Sequence, residues 1–457
     1  VGFNWDLYGD RSLQIRGGTG IFTGRVPYVW IVGQAGNSGM LQITQSFNGT
    51  ANTPGVFNPN VGFYRPATPP TPGTTMPSTV TAFAEDFKMP QSWKSSLAID
   101  VKLPGSIIFT LEAIYNRDYS VIYSRNINLV DPAPLNVNGY PDNRLIYPNA
   151  NAAKYINKLI TTGPGIQVPS AVGTNAFSMI LTGNEKRGHY ASLTARFERQ
   201  FKKGFSATVS YTKSFSNRLY DGQGDQPFNT WSLINSVNGA NYPNLSHALD
   251  VVPDRVIAAV TYRKEYLKHL GTSISLFYEG AIAGRFTYLY SADFNRDGTS
   301  ADPIYIPRNP SEITFQTQVV NGVTYTPQQQ SDLFFAYIEQ DKYLRTHKGQ
   351  YAERNGAQLP WRNQVDVRIL QDLFANIGKS KNTIQFSLDI FNVGNLINPS
   401  WGKVKTVNNS AILVPRNNTS LVPGGTIKPE FNLALDRGQI ITRTFRDNLS
   451  TASTYYM

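Results

Sequence analysis

Apolar and polar residues take turns along this chain in long runs, and that alternation limits what it can fold into more than any motif does. In Asn382 to Asn395, NTIQFSLDIFNVGN, Ile384, Phe386, Leu388 and Ile390 are set against Gln385, Ser387 and Asp389. A period of two puts one set on each face of a β-strand. Just upstream, Val365, Val367 and Ile369 alternate with Gln364, Asp366 and Arg368. The short link from Asn376 to Lys381, which holds Gly378, joins the two runs as an antiparallel hairpin. A face carrying Gln, Asp and Arg is costly in a dry core. It suits a wall with hydrocarbon on one side and water on the other.

The same pattern predicts strands over 1–7, 12–22, 91–103, 106–118, 189–200, 205–217, 254–266, 272–284, 362–374 and 382–393, with a last one at 452–457. The clearest hairpin sets Ala191, Leu193, Ala195 and Phe197 against Ser192, Thr194, Arg196 and Glu198, then turns at Lys202-Lys203-Gly204. Turns of a few residues alternate with loops of roughly 35 to 75, far beyond ordinary hairpin connections. One such loop contains PATPPTPGTTMP (66–77), too rich in proline for strand or helix. Short turns at one end and long loops at the other are the pattern of an outer-membrane barrel. A soluble sandwich or propeller spreads its loops more evenly. Tyr115, Phe205, Tyr262 and Tyr278 sit towards strand ends, where interfacial girdles lie.

Composition agrees. The chain has 457 residues, 25 Tyr, 25 Phe and 37 Gly, and only 16% of it is charged. Its mean hydropathy is −0.30, and no apolar run approaches the length of a transmembrane helix. Alternating strands cross a membrane with such an average. There is no cysteine, which excludes a disulfide scaffold and thiol chemistry. The net charge of +11 is scattered, with no basic stripe or recognition helix, so nucleic acid is not an expected partner. Anionic lipid headgroups or anionic substrates suit it as well. Val1 and Met457 both fall inside alternating segments, so the chain reads as a piece of a larger protein.

Several segments, in matching order, resemble the C-terminal half of TonB-dependent outer-membrane receptors. They include SWKSSLAIDVKLPG (92–105), RGHYASLTARFERQF (187–201), DGQGDQPFNTW (221–231), VVPDRVIAAVTYRKEY (251–266), LPWRNQVDVRILQDLF (359–374) and DIFNVGNLINPSWG (389–402). The likeness is to the Oar-like group of Bacteroidetes type, which carries a carboxypeptidase-regulatory-like domain. The resemblance implies an all-β, antiparallel transmembrane β-barrel of about 22 strands with a plugged lumen. This chain would supply about 10–11 of them, with long extracellular loops, in the outer membrane of a Gram-negative bacterium. The implied partners are outer-membrane lipid, the TonB energy-coupling complex through a part preceding this chain, and a surface lipoprotein.

The candidate sites are few. Asp293, Asn295, Asp297 and Gly298 spell D-x-N-x-D-G, with Asp302 beyond. Oxygen ligands at alternate positions and a glycine for the sharp turn are what a calcium loop needs. Ile304 stands where its last acidic ligand belongs, and an Asn/Asp/Gly-rich surface turn is the other reading. Gly17, Gly18 and Gly20 lack the Lys-Ser/Thr of a phosphate loop and read as a bend in a strand. His189, His247, His269 and His347 share no ligand spacing, and neither G-x-S-x-G nor H-E-x-x-H occurs, so no enzyme is expected. Arg16, Asp100, Lys102, Glu112, Arg196, Glu198, Asp366, Arg368 and Asp389 face the lumen, either as a solvated ladder against a plug or as a substrate path. Trp231, Trp361 and Trp401 either stack on a ligand or pack the loops together. A surface-adhesion barrel and a soluble glycan-binding β-protein are the competing functions.

Overall fold

The computed structural model describes the whole chain except residues 37, 42–54, 66–67, 69–70, 164–165, 223, 225, 378–379, 450–453 and 456–457. Ten strands form one antiparallel ladder, and two others, besides the two-residue strand Ser246–His247, extend it at the long-loop end. In chain order these twelve are β1 Gly2–Asp6, β2 Leu13–Thr23, β3 Thr79–Phe83, β4 Gln91–Leu103, β5 Ile107–Asn126 and β6 Ser178–Glu185. They continue as β7 His189–Lys202, β8 Phe205–Arg218, β9 Asp254–Tyr266, β10 Leu270–Ile282, β11 Trp361–Ile377 and β12 Ser380–Ile390. The ladder runs β1-β2-β4-β5-β7-β8-β9-β10-β11-β12, while β6 pairs with β5 and β3 pairs with β6. The last expected strand, 452–457, lies outside the described residues except for Thr454 and Tyr455, which are not in a strand.

Register keeps like with like across the ladder. Phe197 lies opposite Phe109 and Val209, while Arg196 lies opposite Thr110 and Ser210. One face therefore carries Leu193, Phe197, Val209, Ile274 and Phe386, with Ile384 63% exposed and Leu193 49%. Each such side chain left in water forgoes roughly 1.5–3 kcal/mol. A belt this wide would consume the net stability of about 5–15 kcal/mol that a domain has. Lipid resolves the conflict. On β7 the apolar span from His189 to Arg199 covers ~10 residues, which at ~3.3 Å each and ~40° of tilt gives about 25 Å of height, a bilayer's hydrocarbon band. No helix among the described residues is long and apolar enough to cross a membrane.

The short turns follow local chemistry. Lys203 (φ 54°) and Gly204 (φ 79°) both sit in the left-handed region, with Lys202 paired to Phe205, the two-residue turn whose twist matches its strands. A β-carbon on Gly204 would meet the Arg263 carbonyl oxygen at 2.1 Å. Gly17 marks a second close approach, since a β-carbon there would lie 2.8 Å from the Ser96 carbonyl oxygen and 2.9 Å from the Phe3 ring. The glycine triplet thus lets strands come together.

Two expectations need correction. The stretch from 119 to 188, read as loop between the expected strands, holds the upper part of β5 and the returning β6. Above the lipid both faces of β5 are polar or covered, so Tyr123 and Arg125 no longer contrast with Ser124 and Asn126. The long loops also build a body of their own. Leu135 and Ile146 from one loop, Tyr288, Ile306, Phe334 and Ile338 from a second, and Leu413 and Phe431 from a third share a single buried core. Its main helix, α2 Pro327–Gln340, follows Tyr28–Gly36 (α1) in chain order. Thr326 and Gln329 close a capping box at its start, and Gln330, Phe334 and Ile338, four apart, turn one buried stripe inward.

Candidate functional site

The polar face of the ladder carries ion pairs, most of them between strands. Arg16 Nε lies 2.9 Å from Asp100 Oδ2, and its Nη1 lies 3.6 Å from Glu112. Arg196 lies 3.6 Å from Glu198. On the far flank Arg255 and Arg362 converge on Glu279, Arg263 reaches Asp372 at 2.8 Å, and Arg368 pairs with Asp389. Between the flanks run hydroxyls, with Thr194 and Thr212 bonded at 2.9 Å and Thr261 and Ser275 at 2.9 Å. Lys102 donates to the Asp10 carbonyl, and Asp366 accepts from Gln364 and the Asn392 amide. Arg255, Arg263, Glu279, Arg362 and Asp372 were not singled out from the sequence, although they share the inward parity of their strands. Six arginines meet six carboxylates in these pairs. Exposed pairs of this kind stabilise little, about 0–1 kcal/mol each, and they leave the inner face almost without net field. The surplus positive charge of the chain lies elsewhere.

In the loop body the D-x-N-x-D-G stretch forms one tight turn. Asp293 Oδ2 accepts the Gly298 amide at 2.8 Å, and Asn295 Oδ1 accepts the Asp297 amide at 2.9 Å. Asp297 accepts from the Thr299 amide and hydroxyl and from the Ala240 amide. Asp302 accepts from the amides of Phe294 and Asn295 and from the Asn295 carboxamide. These oxygens are engaged by N–H and O–H donors, as in a self-contained turn. Among the described residues no three His, Cys, Asp or Glu side chains converge as a metal-binding group. Asp293 Oδ1 is buried without a hydrogen-bond partner. Burial, then the charge of Asp297, pushes the Asp293 carboxyl up to about 6. Burial also raises Asp297 and raises Asp302 well above the usual carboxylate range.

Arg144 anchors the same body. Its side chain is fully buried, pairs with Asp142 at 2.9 Å, and donates to the Pro303 carbonyl at 2.8 Å. The guanidinium lies 4.9 Å from the ring centres of Tyr290 and Phe294. Of the three loop tryptophans, Trp231 is buried, its indole N–H donating to Asn241, so it packs loops together. Trp361 and Trp401 stay 41% and 54% exposed at the upper rim of the wall. His189 and His247 both pack against the ring of Phe215. A recess of about 890 Å³ opens beside Tyr123, Arg125, Asp131, Glu185 and Tyr242, on the flank of the β5–β6 extension.

A ladder greasy outside, polar and charge-paired inside, with short turns below and a built loop body above, defines the wall of an outer-membrane β-barrel. The chain belongs to the outer membrane beta barrel domain family, which matches residues 1–420, and its place is the cell outer membrane. Among solved structures it is similar to the outer membrane transporter YddB from Escherichia coli, at 10% identity and a TM-score of 0.39. That likeness covers 86% of this chain and 36% of the transporter, so the chain spans little more than a third of that protein's length. No curated protein matches it.

Proposed function

We propose that this chain is the wall and outer-loop portion of a TonB-dependent transporter of the Oar-like kind. It would take up its ligand actively, driven by the TonB complex through a part of the receptor outside this chain, with a surface lipoprotein as a further partner. The observation that supports this reading is the loop body. Three long loops share one apolar core above a water-lined inner face whose charges neutralise one another. Capture by such loops and passage along a wall without strong fixed charge suit a polar ligand larger than an ion.

The test is depletion of oligopeptide and oligosaccharide mixtures from the medium by cells with and without the gene, each with and without a protonophore. Energy-dependent depletion that needs the gene supports transport. Attachment to surfaces that needs the gene and survives the protonophore supports instead a display or adhesion barrel, the second reading the same loop body permits.

A further inference from the structure

Where β12 ends, the chain does not continue up the wall but folds back across the top of β11. β12 pairs with β11 only as far as Ile390 opposite Val367, which leaves the first residues of β11, Trp361 to Asp366, without that neighbour. Asn392, left-handed at φ 53°, starts the short helix Val393–Ile397, and the segment closes through Asn392 Nδ2 donating to the Gly402 carbonyl at 3.2 Å. Beneath it lies a recess of about 620 Å³, bounded by Trp361, Asn363, Val365, Trp401, Lys403 and Lys405.

The position of the recess says what it meets. Trp361, Asn363 and Val365 share the parity of Val367 and Ile369, so they belong to the lipid-facing surface. On the same face below, Tyr266, Thr272 and Gln371 form a polar cluster. From Gln371 up to Trp361 is ~10 residues, or about 25 Å of height, one hydrocarbon band. At the top, Tyr278 and the Trp361 indole both donate to Asn363 Oδ1, at 2.8 and 2.9 Å, an aromatic boundary with its polar ends anchored. Leu396, Ile397 and Trp401 are 48%, 71% and 54% exposed beside it. Apolar side chains so placed belong in the interfacial layer. Behind them Lys403 and Lys405 share the single carboxylate of Asp447, so the group keeps a net positive charge.

We propose that this recess holds one phosphate-bearing lipid of the outer leaflet, its acyl part between Trp361 and Trp401 and its phosphate against Lys403 and Lys405. The inference rests on the outer-membrane placement and not on transport. Continuity with the lipid-facing wall and the excess of cation over acid fix the occupant.

The test titrates phosphorylated lipid A, its dephosphorylated form and inorganic phosphate into the full receptor in mild detergent. Binding is read from the tryptophan emission lost in Trp401→Phe. We expect lipid A alone to shift that emission to shorter wavelength. K403A and K405A should each weaken binding about fivefold, the effect of one cation at a lipid surface. K403R with K405R should retain it, and D447N should tighten it. Resistance of the folded band to SDS without heating confirms that each variant is intact. Equal binding of the dephosphorylated lipid, an emission unmoved by lipid A, or intact K403A and D447N variants that bind as the parent does would overturn the proposal. So would displacement of lipid by inorganic phosphate at equal concentration.

Discussion

Arg144 and Asp142 form an ion pair from which water is wholly excluded, both side chains at 0% exposure with 2.9 Å between Nε and Oδ1. The guanidinium spends its other face on Tyr290, Phe294 and Tyr351. Two loops distant in sequence are thereby tied at one point. Removing the cation alone leaves the Asp142 carboxylate buried and unpaired, so Arg144→Met should destabilise the loop body by roughly 3–5 kcal/mol. Arg144→Met with Asp142→Leu should recover a large part of that loss. A double-mutant cycle on thermal unfolding of the detergent-solubilised protein checks both values.

The Asp293 carboxyl titrates at about 6, above its ordinary value, so between pH 4 and 6 the folded loop binds more protons than the unfolded one. The contribution of this group to stability therefore falls as pH rises through that window and levels off above it. Asp293→Asn keeps an acceptor for the Gly298 amide and removes the charge. It should remove this group's share of the dependence and protect the turn at pH 7.5 by at most ~3 kcal/mol. Limited proteolysis of the 283–360 loop at pH 5 and pH 7.5 reads the difference.

Leu193 and Thr194 are neighbours with opposite surroundings. Leu193→Lys places an ammonium in the hydrocarbon and should cost roughly 2–4 kcal/mol near mid-membrane. Thr194→Lys places it among lumen hydroxyls and should change stability by under ~1 kcal/mol. Unfolding from lipid vesicles compares the two, and equal costs would mean the faces have been assigned wrongly.

The parity of these strands was legible because lipid and water impose it at every second residue. Ala191 to Phe197 against Ser192 to Glu198 needs no partner to be read, and Lys203-Gly204 declares its turn locally. The loop body was not legible for the opposite reason. Tyr288, Phe334, Ile338 and Phe431 meet across long sequence separations, with no period to announce a shared interior. Arg255, Glu279 and Arg362 had the right parity, but only the register of β9, β10 and β11 brings both guanidiniums to one carboxylate. The spacing of Asp293, Asn295 and Asp297 indicates oxygen atoms at regular intervals. It does not indicate that backbone amides would take them.

Gly204 is left-handed, and its missing β-carbon leaves room for the Arg263 carbonyl. Gly204→Ala should cost roughly 1–3 kcal/mol from strained backbone and the forced shift of β9. The temperature at which the folded band is lost on gels without prior boiling should drop accordingly, while Lys203→Asn, suited to the same conformation, should leave it unchanged.

Because Leu135, Phe334 and Phe431 come from three separate excursions of the chain yet interlock in one interior, those excursions have surrendered their independence. No single one can swing aside as a flap while the others stay shut. Entry past them demands that the assembly tip as a block or that a cargo skirt its edge, and one cut in any of the three strips loosens all.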